Sequence, residues 1–379
     1  MLCQFLAGVT PLGYLYLFND TSNQQQLVSF ELFLGYSYFC IALVNYSTDT
    51  FVAKRYRYYL HPKNILKLIR LRLTVSLLAC MVILTYVACF KSPEALWLIL
   101  ILIGATIDAS WVFIGKKKIY VSSLIVGATY ILAGILFLNL SLLPHSSFAI
   151  AYIIVAVGGC LLTYDFRKVS DLCWSSDNEL RKALFWPTIN ELLTLAAYRL
   201  DLVVFAIFCP VEQMYVYALI KKHVQGFQSV LLSGVKLIYL SESTATIKKL
   251  KSIYGLMLLT LPLCGGLLSL LSLKYFFEME LSFIEIIYCV LFFCFSSYFA
   301  FLKQQAQFEF LYRKFLLFDD LKLSVFVYIM FIMLCGVVAF LELEGLLFMI
   351  LIKTANDLWY VLAFKMKYRL SYNLRWRVK

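Results

Sequence analysis

Twelve apolar runs, separated by short polar breaks, account for nearly the whole chain. They fall at 2–18, 28–46, 71–90, 94–114, 119–140, 147–165, 184–208, 214–238, 252–273, 281–302, 321–341 and 345–363. Each is close to the ~20 residues that an α-helix needs to cross ~30 Å of hydrocarbon. The pattern predicts an all-α polytopic membrane protein with about 12 transmembrane helices. Residues 50–70, TFVAKRYRYYLHPKNILKLIR, mix aromatic, aliphatic and basic positions and predict an amphipathic segment lying in the membrane interface. The longest hydrophilic break in mid-chain, 166–183, divides the sequence into an N-terminal lobe (1–165) and a C-terminal lobe (184–379) with a short basic tail. Two six-helix lobes around a central cavity are the expected architecture, the arrangement common in transporters built from repeats.

Charge fixes the orientation. The breaks after even-numbered spans, with the tail and the residues just inside their flanking spans, hold 27 of the 34 Lys and Arg, whereas the odd-numbered breaks hold only Lys91 and Lys274. Basic residues collect on the cytoplasmic side of a membrane protein. Both termini are therefore expected in the cytoplasm of a cell inner (plasma) membrane. The same bias accounts for the net charge of +12 without a nucleic-acid partner. Composition agrees: 62% hydrophobic and 15% charged residues leave too little charge to cover a soluble protein of this size. The 11 cysteines are scattered through apolar runs with no CxxC pair, and read as small apolar fillers.

With the breaks this short, chemistry has to reside between helices. Ionisable groups inside spans are costly, and they face a cavity or a partner. In the second span, Glu31, Gly35, Tyr38, Ala42, Asn45 and Asp49 follow one helical stripe, within about 80° of arc at ~100° per residue. The fourth span adds Asp108, and the twelfth adds Lys353, Asn356 and Asp357. The seventh carries Asn190, Glu191, Arg199 and Asp201. The eighth is the most informative: Tyr215, Ala218, Lys222, Gln225, Ser229, Ser233 and Lys236 again share about 80° of arc. Lys222 and Lys236 end a cationic stripe ~21 Å long, suited to an anionic solute or head group.

Other readings stand beside these. Lys236, Glu31, Asp49 and Asp357 lie near span ends, where charged side chains snorkel to the interface. Arg199 and Asp201 suit a structural pairing with the first or eighth helix as well as a transport site. His61 and His145 read as loop residues, and His223 sits beside two lysines. Neither a phosphate-binding GxxxxGK[ST] loop nor an HExxH or GxSxG motif occurs, and nothing calls for a cofactor.

Two segments, YRLDLVVFAIFCPVEQMYVYALIKK (198–222) and SWVFIGKKKIY (110–120), resemble Wzx-type polysaccharide flippases of the multidrug/oligosaccharidyl-lipid/polysaccharide exporter superfamily. Arg199, Asp201, Tyr217 and Ala218 in the first, and Trp111, Phe113, Gly115 and Lys118 in the second, occupy places comparable to that family's motifs. NYSTDTFVAKRY (45–56) is a weaker likeness. The sequence departs at Tyr215 and Ile114, where the family commonly has Gly and Gln. It also departs at Met1, which abuts a short apolar run instead of the family's basic leader, an indication of a truncated start.

The resemblance implies translocation of an undecaprenyl-diphosphate-linked oligosaccharide repeat unit from the cytoplasmic to the outer leaflet, by alternating access. Its partners would be the lipid-linked substrate, membrane lipid and other polysaccharide-assembly membrane proteins. The lipid tail can stay in the bilayer, whereas sugar and diphosphate need replacement hydrogen bonds. Arg199, Lys222 and Lys236 are the expected diphosphate contacts; Gln225, Ser229 and Asn190 are the expected sugar-facing groups. Glu191, Asp108 and Asp201 are candidates for ion coupling. Three rival readings are a small-solute or drug exporter of the same superfamily, an integral-membrane polymerase or glycosyltransferase, and a non-transporting scaffold. The short outer breaks weigh against an enzyme.

Overall fold

The computed structural model describes residues 24–45, 62–90, 93–115, 119–163, 201–207 and 209–240. It describes parts of 10–17, 185–195, 262–275, 282–298, 326–335 and 349–362. Every regular element among these residues is helical. The chain forms two compact units. One holds residues 2–21 and 29–200; the other holds Met1, 22–28 and 201–379.

Helices described in the first unit are α1 (Gln24–Asn45, of which 29–45 belong to this unit), α2 (Pro62–Phe90), α3 (Trp97–Ile107), α4 (Ser110–Gly115), α5 (Ile119–Leu140) and α6 (Pro144–Thr163). A 3₁₀ turn, Pro93–Leu96, leads into α3. Proline opens both α2 and α6 at the position where its fixed φ and missing N–H cost least. α6 packs on α3 and α5, and α2 packs on α3. Val44, Leu102 and Ala105 are wholly enclosed where α1 and α3 meet, with Ala79, Cys80 and Ile83 of α2 and Tyr152 of α6 around them. The outward face of α2 is apolar and bare, with Leu78, Met81 and Val82 more than 60% exposed. A surface of this kind belongs against lipid. Gln24–Asn45, Lys67–Cys89 and Pro144–Thr163 are each long and apolar enough to cross a membrane. The described cysteines are free thiols.

Two expectations are corrected here. Residues 62–70 are not a separate interfacial segment, because they form the first turns of the 29-residue α2. The apolar period runs unbroken from Ile65 through Leu73, so nothing stops the helix. At ~1.5 Å per residue such a helix exceeds the hydrocarbon thickness, which places its basic start toward the head groups. Residues 50–61 lie outside the described part. The expected span 94–114 is also not one helix: it stops at Ile107 and restarts at Ser110. The expected span 119–140 coincides with α5.

The second unit is described around α7 (Asp201–Phe205) and α8 (Val211–Leu240), with further helical residues at 262–271, 289–298, 349–355 and 357–359. Gly265 lets the chain pass close to aromatic rings. A Cβ there would stand 2.8 Å from atoms of both Phe227 on α8 and Phe293.

Candidate functional site

In the second unit, Asp201 gathers polar partners from its own helix and from α8. It opens α7, its side chain is completely enclosed, and its carboxylate accepts three donors. Leu202 N–H reaches Oδ1 at 2.9 Å, and the Tyr217 hydroxyl reaches Oδ2 at 2.6 Å. The Lys221 ammonium forms an ion pair with Oδ1. Tyr217 and Lys221 are four residues apart on α8 and therefore share a face. The Tyr217 ring is held edge-on by Phe205 at 5.1 Å.

A second charged pair lies within electrostatic reach: Lys353 acts on Asp201 and Asp357 acts on Tyr217. Lys353 Nζ stands 3.5 Å from Asp357 Oδ1, one helical turn on. Hydrogen bonds tie this pair back to α8, since Gln228 donates to Ser296 Oγ at 3.0 Å and Ser296 donates to Asp357 at 3.5 Å. All four charged residues are less than 9% exposed. Within each pair, Asp201 with Lys221 and Asp357 with Lys353, the opposite charges offset one another. That cancellation is what makes their burial tolerable.

In the first unit the helix break at Asp108 is built as carefully. Asp108 N–H donates to Gly104 O at 2.9 Å, ending α3. Its carboxylate then bridges to the start of α4 in an Asx-type turn, accepting Ser110 N–H at 2.9 Å and Ser110 Oγ–H at 2.8 Å. The Asp108 carbonyl, which a continuous helix would have used, accepts Arg72 Nη1–H from α2 at 2.9 Å. Arg72 is 1% exposed. Non-helical backbone at membrane depth requires such replacement donors.

At another end of this unit, Ser29 Oγ lies 3.3 Å from His145 Nε2 and donates to Glu94 Oε2 at 3.4 Å. His145 is not a loop residue as expected. It lies in the first turn of α6 and packs edge-on against Phe33 and Phe30. Tyr38 and Tyr130 share a hydroxyl–hydroxyl bond of 2.6 Å.

Of the predicted site residues, Asp108, Asp201 and Lys222 are buried, and Gln225, which shares α8 with Lys222, is half-buried. Asp201 does pair with the eighth helix, through Lys221 and Tyr217. The stripe chosen from sequence, Ala218–Lys222–Gln225, runs one residue around the helix from this pairing face. Lys221 and Gln228 were thus missed, because the Tyr217–Lys221 spacing is the same as the Ala218–Lys222 spacing. Arg72 was missed because it looked like one more cytoplasmic lysine or arginine at a span end. Ser229 and Lys236 lie on α8, but their side chains are outside the described part; Asn190, Glu191 and Arg199 are wholly outside it. His223 is buried and bonds through Nδ1 to Leu219 O at 2.8 Å.

No protein-family model matches this sequence, and no curated protein matches it. Solved structures do match in fold. One is a multidrug resistance MATE family transporter of the MOP superfamily in an outward-facing conformation: TM-score 0.62, 10% identity, covering 99% of this chain and 95% of that one. Another is a MATE protein in complex with MaL6: TM-score 0.62, 14% identity, covering 96% and 94%. A third is a mutant of a Vibrio cholerae MATE transporter: TM-score 0.55, 15% identity, covering 97% and 95%. These likenesses run end to end. They show the fold, an all-helical multi-pass membrane architecture of about 12 helices.

Proposed function

We propose that the protein is an exporter that moves its cargo across the membrane by alternating access, without itself doing bond chemistry. The buried charge network of Asp201, Lys221, Lys353 and Asp357 carries this reading. Buried ionisable groups in spanning helices are expensive and mark transport or coupling pathways, and this network lies in a chain that shares its fold with transporters from end to end. The solved neighbours, one of them a multidrug resistance transporter, favour a small solute or drug as cargo.

A second reading rests on α8. Lys222 is buried there next to the ion-paired Lys221, and Gln225 and Ser229 follow on the same stripe. A cationic, hydrogen-bonding stripe suits the diphosphate and sugars of a lipid-linked oligosaccharide better than a cationic drug. In that reading Lys222, Arg199 and Lys236 bind the diphosphate at the inner membrane. Gln225, Ser229 and Asn190 face the sugar, and Glu191, Asp108 and Asp201 serve ion coupling.

Deletion of the gene separates the readings. Loss of a solute exporter raises sensitivity to toxic solutes and their retention inside the cell. Loss of a flippase leaves lipid-linked repeat units on the cytoplasmic leaflet, and plasmid-borne wild type clears them. A deletion strain with neither phenotype contradicts both.

A further inference from the structure

Three elements of the first unit meet on one serine hydroxyl. Ser29 of α1 donates to Glu94 Oε2 of the 3₁₀ turn at 3.4 Å, and its Oγ lies 3.3 Å from His145 Nε2 in the first turn of α6. A hydroxyl has one hydrogen to give. With that hydrogen spent on Glu94, Nε2 has to bring its own, so the imidazole donates to Ser29. All three residues lie in or next to the breaks 19–27, 91–93 and 141–146, which are poor in lysine and arginine and are expected on the outer side of the membrane. The turn ahead of His145 is strained. Among the described residues Ser141 is the one non-glycine with a positive φ, 50°, a conformation that persists only while its surroundings hold it.

The seat of the His145 ring suits a neutral group. The ring is buried and packs against Phe33 and Phe30 at 5.0 Å and 5.7 Å. It also sits at the amino end of a helix, which disfavours positive charge. The neighbouring elements offer little to offset one. α3 carries no titratable side chain. The 10–17 segment brings Tyr14, whose hydroxyl donates to Pro144 O at 3.2 Å, and α5 brings Tyr130, against Phe148 at 5.2 Å. Among the described residues, the charge acting on the ring is that of Glu94, which is exposed and therefore screened by water. A protonated ring is better solvated outside this seat than in it.

We propose that His145 is a proton-released clasp at the outer end of the first unit. Neutral, it fastens the start of α6 to α1 and to the 3₁₀ turn through Ser29. In an acidic exterior it takes a proton, leaves its seat and frees the strained turn at Ser141. The stability that the clasp contributes is present while the ring is neutral and is lost as the pH falls through its titration. Nothing in the clasp depends on which cargo is moved.

The test is amide hydrogen exchange on the full chain purified in detergent, at pH ~8 and pH ~5, with the pH dependence of the chemical exchange step divided out. In the wild type, peptides from 141–150 and 29–38 should exchange roughly 5- to 30-fold faster in acid, and peptides from 211–222 should not change. His145→Gln, which keeps a side-chain donor but cannot take a proton, should lose the acid response. Ser29→Ala, which removes the bridging oxygen, should exchange fast at both pH values, and it decides the matter if the glutamine variant is not recovered. The proposal is overturned if acid leaves wild-type exchange at 141–150 unaltered, if the rise is equal in all three regions, or if His145→Gln keeps the response. Failure to recover both variants also counts against it, since a releasable clasp is not needed for folding.

Discussion

Arg72 of α2 donates to the main-chain carbonyl of Asp108 at 2.9 Å, at the point where one membrane helix stops and the next begins. The bond joins two helices through backbone, so it sets where the break falls as well as satisfying an oxygen. Removing the donor leaves a carbonyl with no replacement inside an apolar environment, a loss of about 1–3 kcal/mol. Arg72→Leu should therefore lower the Tm of the purified protein by several degrees, and Arg72→Lys, which keeps one donor, should lie between. A Tm for Arg72→Leu equal to wild type would show that the break holds itself through the Asp108–Ser110 hydrogen bonds alone.

The Asp201–Lys221 pair predicts strong coupling. Asp201→Asn leaves Lys221 buried without its carboxylate, and breaking a buried pair from one side costs about 3–5 kcal/mol. Asp201→Asn combined with Lys221→Met removes both charges together. The double variant should be more stable than the sum of the two single losses by roughly 1–3 kcal/mol, read from denaturation of all four proteins. Strict additivity would mean that the two charges do not act on one another.

The sequence displayed the spans far better than the site. Apolar runs that exceed the bilayer's demand are visible one residue at a time, and α5 starts and ends where its run does. The break at Asp108–Ala109 was not visible, because WLILILIGATIDASWVFIG is apolar on both sides of it. The break depends on a donor from a helix some thirty residues earlier. Asp201 stood out as a carboxylate in a greasy run, yet its partner could not be chosen between two adjacent lysines, Lys221 and Lys222, from helical period alone. The angle of α8 about its own axis decides that choice, and packing against Phe205 and Phe292 sets the angle.

Gly104 gives a prediction about packing. A Cβ at that position would stand 2.7 Å and 2.8 Å from the Tyr152 ring, where α3 meets α6. Gly104→Ala gains helix propensity but drives a methyl into an aromatic ring. Overpacking of this kind costs about 1–3 kcal/mol. The variant should melt below wild type, and Tyr152→Ala in the same background should recover part of the loss. A Gly104→Ala protein as stable as wild type would show that the ring has room to withdraw.

The account's central claim is that this chain itself carries cargo across a bilayer and needs its buried charges to do so. Reconstitution into sealed liposomes tests it most directly, with lipid-linked oligosaccharide in one set, a small cationic drug in another, and the side on which each is found followed over time. The account predicts protein-dependent movement of one of these cargoes, lost in Asp201→Asn liposomes that contain the same amount of folded protein. Liposomes in which neither cargo moves faster than in protein-free controls, or in which Asp201→Asn moves it as fast as wild type, would contradict it.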